Sequence, residues 1–158
     1  MELNLESKHF AIPNINELLS DRERQARLLV MEKIIMKGSP VKATDLQDIG
    51  ILCALESKGV IVQDADGSVI VVYPVSALPT PHKVTLNDGR SFYAICAVDS
   101  LGSAFVFEQN IVISSSCSYC QKSISVTVVN GEISTSDPVN IYVTHTDLIG
   151  EINWAGNC

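Results

Sequence analysis

Apolar residues lie in two groups between Leu18 and Ile35, separated by a polar stretch, and are predicted to belong to one helix that runs to about Lys37. Asn14 or Asn16 would cap its start, because an asparagine side chain accepts hydrogen bonds from the free backbone N–H groups there. Gly38 and Pro40 would end it. The apolar positions of this helix are Leu18, Leu19, Leu28, Leu29, Met31 and Ile35.

Two shorter helices and a hairpin are predicted to follow. One helix begins after Thr44, and a third covers Ile49–Ser57. Strands at residues 60–63 and 68–73 then flank an Asp-Gly turn, which favours a β-hairpin. Three helices followed by a two-stranded wing predict a winged-helix-like domain over residues 14–74.

The second half of the chain is rich in segments that alternate between apolar and polar residues, as strands do. The run after Cys96 loses this alternation and predicts a short helix, whereas residues 102–107 are ambiguous. The fold class is therefore α+β, with a mostly antiparallel sheet core over residues 75–158 and a flexible arm at residues 1–13. Strands are predicted at residues 82–86, 90–96, 110–116, 123–129 and 139–145.

Composition narrows the classes of function. A hydrophobic content of 46% in 158 residues indicates a packed globule. The net charge of −7 makes nucleic acid an unlikely partner, because few cations are available to neutralise phosphates. The sequence shows no signal peptide pattern and no bilayer-length apolar run, which predicts a soluble cytoplasmic protein without a membrane partner. Five cysteines in such a chain are expected to stay reduced.

Cys96 lies where a predicted strand meets a predicted helix, and Asp99 follows three residues later. If a helical turn begins at Ala97, the thiol and the carboxylate lie on the same side of the junction, within a few ångströms. The Cys96 thiol, a soft nucleophile, and the Asp99 carboxylate, which can carry a proton, would then be adjacent. The plainer alternatives are a buried cysteine at a strand end and a carboxylate favoured by the helix dipole.

The residues around Cys96 resemble the organomercurial (alkylmercury) lyase family. That family has a strand ending in tyrosine, alanine and the catalytic cysteine, then alanine, a hydrophobic residue and aspartate. A second signature follows, a Val/Ile-Ser-Ser-x-Cys strand end, and the similarity spans roughly residues 25 to 135. The matching residues are Tyr93, Ala94, Cys96, Ala97, Val98 and Asp99, then Ile113, Ser114, Ser115, Ser116 and Cys117.

The resemblance implies cleavage of carbon–mercury bonds in small organomercury compounds. Cys96 and Cys158 would be the mercury-binding thiolates, and Asp99 would bind the metal and relay a proton to the departing carbon. Cys158 matches the family's second catalytic cysteine at the place where this chain ends, without the family's further C-terminal stretch. No cofactor is required, and cellular thiols or a mercuric reductase would accept the mercury. Apolar surroundings for the acid are expected from Phe92, Ile95, Val98 and Leu101.

Cys117 and Cys120 form a C-S-Y-C motif, which is half of a zinc-ribbon or redox spacing. Together with Cys96 and Cys158 they would make a closed four-sulfur zinc site. The alternative function is therefore a non-catalytic, thiol-rich protein that binds or relays zinc or mercury. A winged-helix regulator of DNA is the least expected class. Cys53 is expected to be a small buried hydrophobic residue.

Overall fold

The computed structural model describes residues 15–46 and 49–143. The helices are α1 (Ile15–Leu18), α2 (Asp21–Lys37), a 3₁₀ turn (Ala43–Asp45), α3 (Ile49–Ser57) and α4 (Ala97–Val106). The strands are β1 (Val41–Lys42), β2 (Ile61–Gln63), β3 (Ser68–Val72), β4 (Val75–Ser76), β5 (His82–Leu86), β6 (Ser91–Ala94), β7 (Ile111–Ser116), β8 (Ser123–Val129) and β9 (Glu132–Asp137). The predicted α+β class is confirmed, and the arm predicted at residues 1–13 lies outside the described residues.

All strands of the described chain join one antiparallel sheet, in the order β1-β3-β4-β6-β5-β7-β8-β9, with β2 paired to β3. The short strand β4 pairs with β3 on one side and with β6 on the other. The predicted wing strands β2 and β3 therefore continue into the sheet of the second half. Strand pairing runs through the boundary expected between residues 74 and 75, and the division into two domains stays a prediction.

The first long helix does not begin at Asn16, which instead lies in the separate short helix α1; Asn14 is outside the described residues. Ser20 caps α2 in a reciprocal capping box with Glu23. The Ser20 N–H donates to Glu23 Oε2 at 2.7 Å, and the Glu23 N–H donates to Ser20 Oγ at 3.4 Å. This box satisfies two free backbone N–H groups, whereas a single asparagine cap would satisfy one. Gly38 ends α2 with φ of 66°, as expected.

The buried face of α2 includes only part of the apolar set expected from sequence. Met31 is buried, whereas Leu28 and Leu29 are exposed, as is Leu18, which lies in α1. The positions that face the sheet repeat with helical spacing and include two charged residues, each of which has hydrogen-bond partners of its own. The buried positions are Glu23, Arg27, Val30, Met31 and Ile34.

The two halves of the sheet carry different helices. Helices α2 and α3 pack near β1 to β4, whereas α4 packs on β5, β6 and β7. Residues 102–107, ambiguous in sequence, lie mostly within α4. Helices α2 and α4 thus cover neighbouring parts of one sheet, and both reach the segment at Tyr73 and Pro74.

The last described strand is β9, and the strand predicted at residues 139–145 is wrong for residues 139–143, which have no regular structure. Residues 144–145 lie outside the described residues. Asn130 and Gly131, with φ of 54° and 80°, turn the chain straight back after β8. The returning strand is mostly exposed and polar, so it lacks the apolar alternation that reveals a strand in sequence.

Within the described ranges, no helix combines the length and the apolar character needed to cross a bilayer.

Candidate active site

Cys96 is the N-cap residue of α4. Its backbone is extended, with φ of −143° and ψ of 179°, because the chain passes here from β6 into the first helical turn. The Asp99 N–H donates a hydrogen bond to Cys96 Sγ at 3.5 Å. Free N–H groups and the helix dipole favour negative charge at a helix N-terminus, so this position supports a thiolate.

Asp99 lies in the first turn of α4, and its carboxylate meets the thiol. The Cys96 thiol donates to Asp99 Oδ2, with 3.2 Å between sulfur and oxygen. The close approach predicted from the three-residue spacing is therefore present, and both side chains are half-buried. One hydrogen bond thus joins the sulfur to the carboxylate.

A cleft of about 330 Å³ opens beside the pair. Asp99 is the member of the pair that lines it, and most of the other lining side chains are apolar. Of the four apolar neighbours expected from sequence, Val98 lines the cleft, whereas Phe92 is buried in the core against Phe107, with 5.2 Å between ring centroids. The lining residues are Ile15, Asn16, Arg27, Tyr73, Pro74, Val98, Asp99, Gly102, Phe105 and Val106.

Arg27 brings a buried positive charge to this cleft, with only 5% of the residue exposed. Its Nε and Nη2 donate to the Tyr73 carbonyl at 3.0 and 2.7 Å, and its Nη1 donates to Asn16 Oδ1 at 2.9 Å. Burial lowers the pKa of Arg27 to about 10, and the charge of Asp99 opposes that change. Arg27 therefore stays cationic at neutral pH and acts electrostatically on Asp99.

Arg27 was not identified from the sequence. It stands 69 residues before Cys96, and no local motif links them. Helical periodicity could have identified it, because Arg27 lies on the same face of α2 as Val30, Met31 and Ile34. Burying an arginine there costs free energy unless the guanidinium has a partner.

Cys117 and Cys120 lie in the turn between β7 and β8 rather than beside Cys96. Hydrogen bonds from the backbone N–H groups of Cys120 and Tyr119 and from the Cys120 thiol, together with the Lys122 charge, lower the pKa of Cys117. Among the described residues, no three Cys, His, Asp or Glu side chains gather as metal ligands would. Three of the four cysteines considered for a closed zinc site therefore do not share one centre.

The remaining cysteines fall elsewhere. Cys158 lies outside the described residues. Cys53 is exposed, contrary to expectation. Helix α3 buries Leu52 and Leu55, and each residue turns about 100° around a helix, so Cys53 faces away from that stripe.

Comparisons with known proteins agree on one family. The sequence model of the alkylmercury lyase family matches residues 75–155. An alkylmercury lyase of Staphylococcus epidermidis is 28% identical over 118 residues, which cover 71% of this chain and 54% of the relative. The chain thus spans about half the length of that curated relative. The crystal structure of the mercury-bound form of MerB2 shares the fold, with a TM-score of 0.69 and 24% identity over 87% of this chain and 70% of that one.

Proposed function

Because the chain belongs to the alkylmercury lyase family, we propose that it cleaves the carbon–mercury bond of organomercury compounds by protonolysis. The observation that carries the proposal is the hydrogen bond from the Cys96 thiol to Asp99 Oδ2 at 3.2 Å. Thiolates are preferred ligands of soft metal ions, and a carboxylic acid is a common proton donor. One helical turn holds both groups, so a metal bound at sulfur lies next to the acid.

The proposed reaction balances protons without any cofactor. The organomercury cation binds Cys96 sulfur, and the thiol proton moves to the Asp99 carboxylate. Asp99 then delivers that proton to the carbon, and the carbon–mercury bond breaks to release a hydrocarbon. Cys158 is proposed as the second thiolate, whose own proton goes to solvent, so that mercury(II) ends between two sulfurs in near-linear geometry.

The cleft and Arg27 support this chemistry. The apolar walls near Asp99, which include Val98 and Phe105, suit the organic group of the substrate. The Arg27 charge favours an ionised Asp99, which is the form that accepts the thiol proton. Arg27 is thus a positioning residue that acts through the carboxylate.

We infer that the winged-helix-like unit of residues 14–74 serves as a scaffold, since it supplies Arg27 and one wall of the cleft. The four described cysteines are free thiols, which suits the predicted cytoplasmic location. Cellular thiols or a mercuric reductase are the proposed acceptors of the mercury product.

The test is hydrocarbon release from a phenylmercury salt, measured by gas chromatography and mass spectrometry in heavy water with excess thiol. We expect benzene carrying one deuterium, because the acid exchanges with solvent before it protonates the carbon. Cys96→Ser should abolish release, while Cys53→Ser, at an exposed cysteine of α3, should not. The alternative function, non-catalytic metal binding, predicts mercury retention without benzene; benzene release by the Cys96→Ser protein would overturn the assignment.

A further inference from the structure

The turn between β7 and β8 holds two cysteines in a fixed backbone conformation. The Cys117 N–H donates to the Lys122 carbonyl at 2.9 Å, and the Gln121 N–H donates to the Cys117 carbonyl at 2.9 Å. Gln121 has φ of 58°, which closes the turn within a few residues. The positions of the two cysteines are therefore set by the hairpin before any ligand arrives.

The two cysteines lie three residues apart within this closed turn. The backbone N–H groups of Cys120 and Tyr119, together with the Cys120 thiol, lower the pKa of Cys117. Lys122 adds a positive charge nearby. Cys120 is exposed and Tyr119 is 95% exposed, so a solute reaches this dithiol directly from solution.

We propose that Cys117 and Cys120 chelate one mercuric ion and form a second soft-metal site, separate from Cys96 and Asp99. Two thiols bind mercury(II) through two sulfur–mercury bonds and release two protons, so the step needs no oxidant or reductant. Mercury(II) prefers two soft sulfur ligands, which makes a pair of cysteines sufficient. The second sulfur binds at a high effective concentration because the turn already holds it beside the first.

Strand register places this dithiol on the same edge of the sheet as Cys96. Ala94 of β6 pairs with His82 of β5, and the next residue of β5 pairs with Ser114 of β7. Cys96 lies just beyond the end of β6, and Cys117 lies just beyond the end of β7. Because β5 lies between these two strands, the two cysteines are two strand spacings apart, or about 10 Å across the sheet. A mercuric ion leaving Cys96 therefore meets a second dithiol on the same edge; this consequence rests on the proposed lyase activity, whereas the chelate itself does not.

The experiment uses mercuric chloride as the probe and a variant of the 158-residue chain with Cys53→Ser, Cys96→Ser and Cys158→Ser, in which Cys117 and Cys120 are the remaining cysteines. After reduction, the protein is dialysed against increasing 2-mercaptoethanol, and bound mercury is measured by elemental mass spectrometry. The same protein with a further Cys120→Ser change is the matched comparison. Circular dichroism checks that each variant is folded.

We expect one mercury per chain in the two-cysteine protein, with retention against the competing monothiol about a hundredfold stronger than after Cys120→Ser. Equal retention by the two proteins would overturn the chelate, since it would show two independent thiols. Mercuric chloride contains no carbon–mercury bond, so failure of the lyase proposal leaves this result unchanged. Conversely, benzene release should still depend on Cys96 if Cys117 and Cys120 do not chelate mercury.

Discussion

The Cys96 thiol donates a hydrogen bond to the Asp99 carboxylate across the first turn of α4, with 3.2 Å between Sγ and Oδ2. This contact exists because α4 begins at Ala97, which places residues three apart on one side of the helix. The Asp99 N–H donates back to the sulfur at 3.5 Å, so the cap and the carboxylate hold the thiol from two directions. The proposed catalysis by Cys96 and Asp99 therefore depends on where α4 begins as much as on the two side chains.

Asp99→Asn should slow hydrocarbon release by roughly 10²- to 10⁴-fold, which is the usual contribution of a general acid. Asparagine keeps the shape of the side chain but supplies no acidic proton. The measurement is single-turnover release of benzene from a phenylmercury salt. Asp21→Asn, in the first turn of α2 and exposed, is the matched control and should react as the unaltered chain does. An Asp99→Asn protein with the unaltered rate would contradict the proton relay.

Arg27→Met should destabilise the protein by about 1–3 kcal/mol, because the buried Tyr73 carbonyl loses the donors at 3.0 and 2.7 Å. The midpoint of urea unfolding measures this loss. Lys42→Met, at an exposed position of β1, should change the midpoint little.

Arg27 also has an electrostatic effect that stability alone does not report. Arg27→Lys keeps a positive charge near Asp99, whereas Arg27→Met removes it. We expect the pH profile of benzene release to shift toward higher pH in the methionine variant and to be largely restored by lysine, since a cation favours the ionised carboxylate. If Arg27→Met and Arg27→Lys gave identical pH profiles, the role of Arg27 would be purely structural.

Glu23 should make folding sensitive to acid. The hydrogen bond from Lys58, followed by those from Ser20, lowers the pKa of Glu23 from 4.5 to about 2. A lowered carboxylate pKa contributes stability that is complete above pH 4.5 and is lost as the pH falls toward about 2. Urea unfolding of Glu23→Gln should therefore depend less on pH across this window than unfolding of the unaltered chain. Glu132→Gln, at an exposed position of β9, is the matched control.

The close approach of Cys96 and Asp99 could be predicted from sequence because it depends on a local pattern of residues. Alternation in β6 stops at Ala94 and helical spacing begins at Ala97, so the change of period marks the junction. The third helix, Ile49–Ser57, and the strand Ser123–Val129 were predicted with the observed bounds for the same reason.

Features that depend on tertiary packing were not predictable in this way. The orientation of α2 follows from its contacts with the sheet, which bury Arg27 and expose Leu28 and Leu29. One partner of Arg27 is a backbone carbonyl 46 residues away, and no sequence pattern identifies a carbonyl as a partner. The polar strand β9 is held by pairing with β8, so its own residues carry little strand signal.

The central claim is that sulfur at Cys96 captures the organomercury compound and Asp99 supplies the proton that releases its organic group. Intact-protein mass spectrometry after exposure to one equivalent of a phenylmercury salt tests it most directly, because bare mercury and phenylmercury differ by the mass of the organic group. The account predicts that the unaltered chain retains bare mercury, while Asp99→Asn retains phenylmercury on Cys96. An Asp99→Asn protein that retains bare mercury as readily as the unaltered chain would contradict it.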